Sequence, residues 1–238
     1  MMIAGKVGTI TSRFDSTRDY CIRYLTEAPG DFAYTVTPED CTAQQEALLE
    51  EARREGIKKR IFSDPFLERA AIQQAFAEYL FDHDILLCHG STVAVDGKAY
   101  LFTAKCGTGK STHTRLWREV FGNRAVMVND DKPFLKLTPS GVLACGAPWS
   151  GKHGLDTNIT LPLGGICILE RGTENVLHPM SPAEALPRLL HETYCPQDPA
   201  KALRFHMLVE QLANTVPLWH MTCTKDPQAA MIAYETMK

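Results

Sequence analysis

The chain lacks several features that would set its class at once. No apolar run approaches the roughly 18–20 residues that a membrane-spanning helix needs, so no part of it is expected to cross a bilayer. It carries no long basic or acidic block, and its formal net charge is only −3. Charge therefore gives no reason to expect nucleic-acid or membrane-surface binding. Its eight cysteines are scattered, with no C-x-x-C pair and no Cys/His spacing of a zinc site. Scattered thiols in a chain of this size fit a reducing compartment. Cys21, Cys41, Cys145, Cys167 and Cys223 are expected to be small buried residues. Residues 1–8 contain no long apolar segment, so no signal peptide is expected and the protein is read as cytoplasmic. No internal repeat or low-complexity stretch is present.

What is there is ordinary globular material. The chain has 238 residues, 45% hydrophobic and 22% charged, enough for one large domain or a domain with a smaller appendage. Its most informative stretch is Lys105-Cys106-Gly107-Thr108-Gly109-Lys110-Ser111-Thr112. A strand-like run over 99–104 leads in and a helix-like run over 112–121 leads out. Strand, glycine-rich turn, Lys, hydroxyl residue and helix together build a phosphate-binding loop. Glycines let backbone N–H groups curl around an anion, and the helix N-terminus adds its positive end. Lys110 would reach the terminal phosphates, and the Ser111 hydroxyl would ligate Mg²⁺. Where such loops commonly carry their first glycine, this chain has Ala104. Cys106 lies inside the loop, where modification of its thiol would block nucleotide binding.

Along the chain, residues 3–11 and 31–36 read as strands, and the stretch between them has no assignable pattern. Pro38 with Thr37 as N-cap starts a charged helix whose formers run over 44–55 and end at Gly56. Ser63-Asp64-Pro65 starts another, with Glu68 near the capping-box position and an apolar stripe of Phe66, Leu67, Ala70, Ala71, Phe76, Tyr79 and Leu80. That helix is expected to stop near Asp82-His83-Asp84, a triplet read as an exposed helix end ahead of a metal site. Asp96-Gly97 between two apolar runs predicts a hairpin, so the strand feeding the loop pairs antiparallel with the strand before it. Residues 125–129 read as a buried strand ending in Asp130-Asp131, about 20 residues after Lys110, where a Mg²⁺-holding carboxylate belongs. One aspartate would hold the metal or its water shell, and the other would accept a proton from an attacking hydroxyl. A second hairpin spans 136–145. The loop over 146–154 brings Lys152 toward phosphate or leaves it on the surface. Strands near 166–170, 175–178 and 216–223 follow, with Arg171 just after the first. Helices begin at Ser181-Pro182 (interrupted by Pro187), at Pro199 and at Asp226-Pro227.

Three blocks in order resemble the catalytic domain of HPr kinase/phosphorylase and the nucleotide core of ATP-dependent phosphoenolpyruvate carboxykinases. They are His89-Gly90 with the hairpin Val93-Ala-Val-Asp-Gly97, then Cys106-Gly-Thr-Gly-Lys-Ser-Thr112, then Val128-Asn-Asp-Asp131. The resemblance covers about residues 85–135 and extends more loosely to about 223. It implies that Gly107, Thr108, Gly109, Lys110, Ser111 and Thr112 bind the phosphates, with Lys110 on the β and γ groups and Ser111 on Mg²⁺. It further implies that Asp130 is the base activating the acceptor hydroxyl, Asp131 the second acidic residue near the metal, and His89 the active-site histidine beside that base. Lys152 and Arg171 are candidates to stabilise phosphate.

The expected fold is thus α/β, a mixed-sheet P-loop core of the carboxykinase/HPr kinase type over 85–238 with C-terminal helices, and an N-terminal α/β portion over 1–84 packed on it. The expected activity is ATP- and Mg²⁺-dependent transfer of a γ-phosphoryl group to a hydroxyl, a serine of a peptide or protein or else a small molecule. A nucleotide-binding regulatory module without turnover is the rival reading. No nucleic acid or membrane is expected as partner, and a homo-oligomer is left open.

Overall fold

The computed structural model describes residues 1–54, 56 and 61–238. Glu55, expected as the end of a helix, lies outside the described residues. Two compact units result, Met1–Leu80 and Phe81–Lys238.

In the first unit, β1 (Met2–Ile3) and β2 (Lys6–Thr11) form an antiparallel hairpin. The sequence predicted one strand over 3–11. Ala4 and Gly5, at φ 53° and 81°, reverse the chain there instead. The stretch without assignable pattern contains α1 (Asp15–Tyr20), and β3 (Phe32–Thr35) then lies parallel to β2. Helix α2 (Pro38–Arg54) opens on a reciprocal cap. Thr37 Oγ1 accepts from the Asp40 N–H at 3.2 Å, and Asp40 Oδ2 accepts from the Thr37 N–H at 2.8 Å. Helix α3 (Asp64–Phe81) buries Leu67, Ala71, Phe76 and Leu80. Glu68 is not a capping residue. Its buried carboxylate accepts the N–H groups of Arg13 at 2.6 Å and Phe14 at 3.3 Å, at the entry to α1.

The second unit is built on one nine-stranded mixed sheet. Its elements in chain order begin with β4 (Ile85–Leu87), β5 (Ser91–Val95), β6 (Lys98–Thr103), α4 (Lys110–Phe121) and β7 (Ala125–Asn129). There follow β8 (Phe134–Thr138), β9 (Gly141–Cys145), β10 (Thr160–Arg171) and β11 (Val176–Pro179). The chain ends with α5 (Pro182–Glu192), α6 (Ala202–Thr215), β12 (Leu218–Cys223) and α7 (Gln228–Met237). The sheet order is β4-β8-β9-β10-β6-β5-β7, with β12 beside β10 and β11 beside β12. Long strand β10 holds it together. One edge of β10 pairs with β6, while the other pairs first with β9 and then with β12. The register shifts between Leu163 and Gly165. A side chain at Gly164 would put its Cβ 2.3 Å from Lys98 Cδ, so the Lys98 side chain lies over the strand at that glycine.

Both faces of this sheet are covered, so its strands read as nearly continuous apolar runs. Ala99 and Leu101 of β6 pack with α5 and α6 through Leu189, Phe205 and Leu212. Tyr100 and Phe102, on the alternate face, pack with α4 and α7 through Leu116, Trp117 and Ala233. Pro187 does not interrupt α5, which runs unbroken to Glu192 from a Ser181/Glu184 capping box. Burial of Ala185 and Leu189 outweighs the one backbone hydrogen bond that proline removes. Of the cysteines expected inside, four are buried and Cys223 is half-buried. Among the described residues no helix is long and apolar enough to cross a membrane.

Trp117 is fully buried, with ring centroids 5.1 Å from Tyr100 and 5.3 Å from Phe102. Trp117→Ala is expected to destabilise the second unit by about 3–5 kcal/mol in urea unfolding. A loss below about 1 kcal/mol would contradict this packing.

Candidate functional site

The site arises from strand directions. Strand β5 pairs antiparallel with both β6 and β7, so β6 and β7 run the same way and end on one edge of the sheet. On that edge lie His89 just before β5, the glycine loop just after β6, and Asp130-Asp131 just after β7. Two hydrogen bonds stitch these segments. Thr103 Oγ1 donates to the His89 carbonyl at 2.9 Å, and the Gly90 N–H donates to the Asp131 carbonyl at 2.9 Å.

The loop has the expected strand-to-helix placement, with Gly107 and Gly109 at φ 75° and 125°. Ala104 is not at positive φ, is buried, and supplies its carbonyl to Lys110 Nζ at 2.9 Å. The backbone therefore makes no demand for glycine at that position. Burial lowers the Lys110 pKa, opposed by the charges of Glu192, Cys106 and Asp131. Arg171 donates from Nε to the Thr108 carbonyl at 3.1 Å and from its terminal nitrogen to the Gly107 carbonyl, bracing the outside of the loop.

His89 sits between two carboxylates. Its Nδ1 is 3.0 Å from Glu192 Oε2 and its Nε2 is 3.4 Å from Asp131 Oδ1. Burial alone would lower its pKa, but hydrogen bonds to Asp131 and Glu192 carry it above the ordinary value. Burial pushes the Glu192 pKa up, yet His89 and Arg188, whose NH1 is 3.1 Å away, hold it down to about 2. Sequence reasoning missed Glu192. It lies in the last turn of α5, where the helix dipole disfavours a carboxylate, and 103 positions beyond His89. A glutamate near the end of a helical stretch is the signal it left in the sequence, and its burial appears only in the structure.

Asp130 is nearly buried at 4% exposure. Its Oδ1 accepts the Gly151 N–H at 2.6 Å, while Oδ2 is buried without a hydrogen-bond partner. Burial raises its pKa, the Gly151 N–H opposes, and the Asp131 charge adds to the rise. For Asp131, burial acts upward but His89, Lys132 and Lys110 bring the pKa below the ordinary value. Asn129, fully buried, fixes the pair's turn. Its Oδ1 accepts the N–H groups of Asp131 at 2.8 Å and Lys132 at 2.6 Å, and its Nδ2 donates to the carbonyls of Ala147 at 2.7 Å and Trp149 at 3.2 Å.

A cavity of about 610 Å³ is lined by His89, Lys110, Ser111, Asp130, Asp131 and Lys152. Gly107, Gly109 and Thr112 also border it. The structure thus gathers these predicted residues around one space, with Lys152 exposed at its rim. Thr108 and Arg171 line a second cavity of about 700 Å³ on the other side of the loop. Asp82 and Asp84 pair with Lys201 and Arg204, both at the surface. Among the described residues no group of three His, Cys, Asp or Glu side chains forms a metal cage. The Ser111 hydroxyl and the Asp131 carboxylate are hard oxygen donors on this cavity, which fit Mg²⁺ shared with phosphate oxygens.

Neither a protein-family model nor a curated protein matches the chain. Among solved structures, the chain is similar to the Hpr(Ser) kinase/phosphatase from Coxiella burnetii at 11% identity and a TM-score of 0.39, over 63% of this chain and 95% of that one.

Asn129→Ala would leave buried backbone groups on both sides of the turn without partners. A loss of about 2–4 kcal/mol in thermal or chemical unfolding is expected. An unchanged unfolding midpoint would rule out this clamp.

Proposed function

We propose that the second unit is a Mg²⁺-dependent phosphotransferase of the carboxykinase/HPr kinase type. It would move the γ-phosphoryl group of ATP to a hydroxyl, borne by a serine of a peptide or protein or by a small molecule. The observation that carries this reading is the meeting of Lys110, Ser111 and the Asp130-Asp131 pair on one cavity, with one Asp130 oxygen buried and unpartnered.

In this reading the N–H groups of 107–112 cradle the phosphates, and Lys110 leaves the Ala104 carbonyl to meet them. Ser111 and Asp131 would hold Mg²⁺, which when bound neutralises phosphate charge. Asp130 accepts the acceptor's proton on Oδ2. The acceptor oxygen forms its bond to Pγ as the bridging bond from the β-phosphate breaks, and ADP leaves. His89 has both ring nitrogens on carboxylates, so it acts as a donor that orients Asp131. Lys152 from the rim adds positive charge beside the transferred group.

The test incubates the chain with labelled ATP, Mg²⁺ and hydroxyl acceptors. Asp130→Asn is expected to lower transfer about 10²–10⁴-fold while leaving ATP affinity within roughly threefold. If wild type binds ATP yet neither transfers nor hydrolyses phosphate, the chain is a nucleotide-binding regulatory module and the kinase reading fails. Thiol labelling gives a second check, since Cys106 and Cys195 are both exposed. MgATP at about ten times its Kd is expected to slow maleimide labelling of Cys106 roughly tenfold, with Cys195 as the unaffected control. Equal labelling with and without MgATP would take the nucleotide away from this loop.

A further inference from the structure

The second cavity, about 700 Å³ on the far side of the loop, has no part in the scheme so far. It lies over the carboxyl ends of β6, β10 and β12, which run parallel. In α/β sheets that is where ligands bind. Ile168 and Leu169 supply apolar lining, and Lys105, Arg171 and Arg188 supply positive charge. Its one carboxylate, Glu170, lies 3.2 Å from His220 Nε2. The balance favours an anion.

The two arginines are held in advance. Arg171 is braced on the Gly107 and Thr108 carbonyls, and Arg188 on Glu192 at 3.1 Å. Each guanidinium keeps further N–H groups for a ligand, and a pre-oriented fork suits carboxylate or phosphate oxygens. The volume is that of a small-molecule site.

The two cavities share one wall residue of the loop. Gly107 lines both, so the loop that would hold phosphate at Lys110 also borders the second space. A chain of contacts runs from Arg188 to Glu192 at 3.1 Å, on to His89 at 3.0 Å, and so into the first cavity. Arg115 and Arg118 of α4 line the first cavity only, which leaves that side for the rest of the nucleotide.

We infer that the second cavity is the acceptor site, and that it takes a small hydroxy compound carrying a carboxylate or phosphate. The anionic end rests between Arg171 and Arg188, and the hydroxyl points past Gly107 toward Asp130. This inference rests on the phosphotransferase reading above.

The experiment separates the two. Calorimetry on the full chain without nucleotide uses D-glycerate and glycerol 3-phosphate as anionic probes, with glycerol as the uncharged control. At least one anion is expected to bind tenfold or more tightly than glycerol, and which one binds separates the carboxylate from the phosphate source. Arg188→Gln and Arg171→Gln should each weaken it about tenfold, and Arg188→Lys should recover part of the loss. Arg171 is exposed, so its variant tests the site even if the Arg188 change unfolds the chain. ATP affinity is read in Arg188→Lys, which keeps a charge on Glu192 and leaves the Arg171 brace of the loop intact, and it should stay within threefold there. If the anions bind no better than glycerol, or bind equally to both Gln variants, the site is wrong. If ATP affinity falls together with anion affinity in Arg188→Lys, the cavity belongs to the nucleotide and the inference is overturned. Transfer to a serine peptide without acidic side chains, unaffected by either Gln variant, would overturn it in favour of a peptide acceptor. Anion binding through the arginines without any phosphate transfer would sink the phosphotransferase reading and leave an anion site in place.

Discussion

The candidate site depends on β5 running against both of its neighbours. Because β5 is antiparallel to β6 and β7, the ends of β6 and β7 and the start of β5 share one sheet edge. A parallel partner in place of β5 would send His89 to the opposite edge. The antiparallel turn at Asp96-Gly97 therefore shapes the candidate site as much as the glycine loop does. Gly90 lets the three segments close up, since a Cβ there would lie 2.6 Å from Leu101 Cδ1 and 3.0 Å from the Phe102 carbonyl.

Around that edge, buried polar groups do the positioning. Asn129 joins the Asp130-Asp131 turn to the loop that carries Lys152. Gly146 makes room for the same loop, because a Cβ there would lie 1.8 Å from the Thr157 carbonyl. Glu192 reaches the site from α5 and takes one nitrogen of His89, while its backbone carbonyl accepts the His89 N–H at 2.7 Å. Removing water from such a group costs free energy unless charge partners replace it. Here His89 on one side and Arg188 on the other do so. The Asp130 oxygen is the exception, buried and without a partner.

Much of the second unit was legible from local signals. The Asp96-Gly97 hairpin, the strand-loop-helix at 98–121 and the strand before Asp130 all appear where apolar runs and turn residues put them. The failures have local causes too. The pair Ala4-Gly5 turns a run that reads as a single strand, because alanine gives no warning of positive φ. Pro187 looked like an interruption, yet tertiary packing of α5 overrides it. Glu68 sat at a capping position but serves a backbone more than 50 residues away in sequence.

By itself the sequence determined the loop, its lysine and hydroxyl, and the acidic pair, because each is a short run whose chemistry depends on neighbours in the chain. It also determined the apolar run that becomes β6. Only the tertiary structure decided that His89, Lys110 and Asp130 line one cavity, that Glu192 and Arg188 stand behind His89, and that Arg171 braces the loop from the side of a second cavity. Those relations join residues that are far apart along the chain, and sheet order and helix packing set them. No local spacing encodes such a contact.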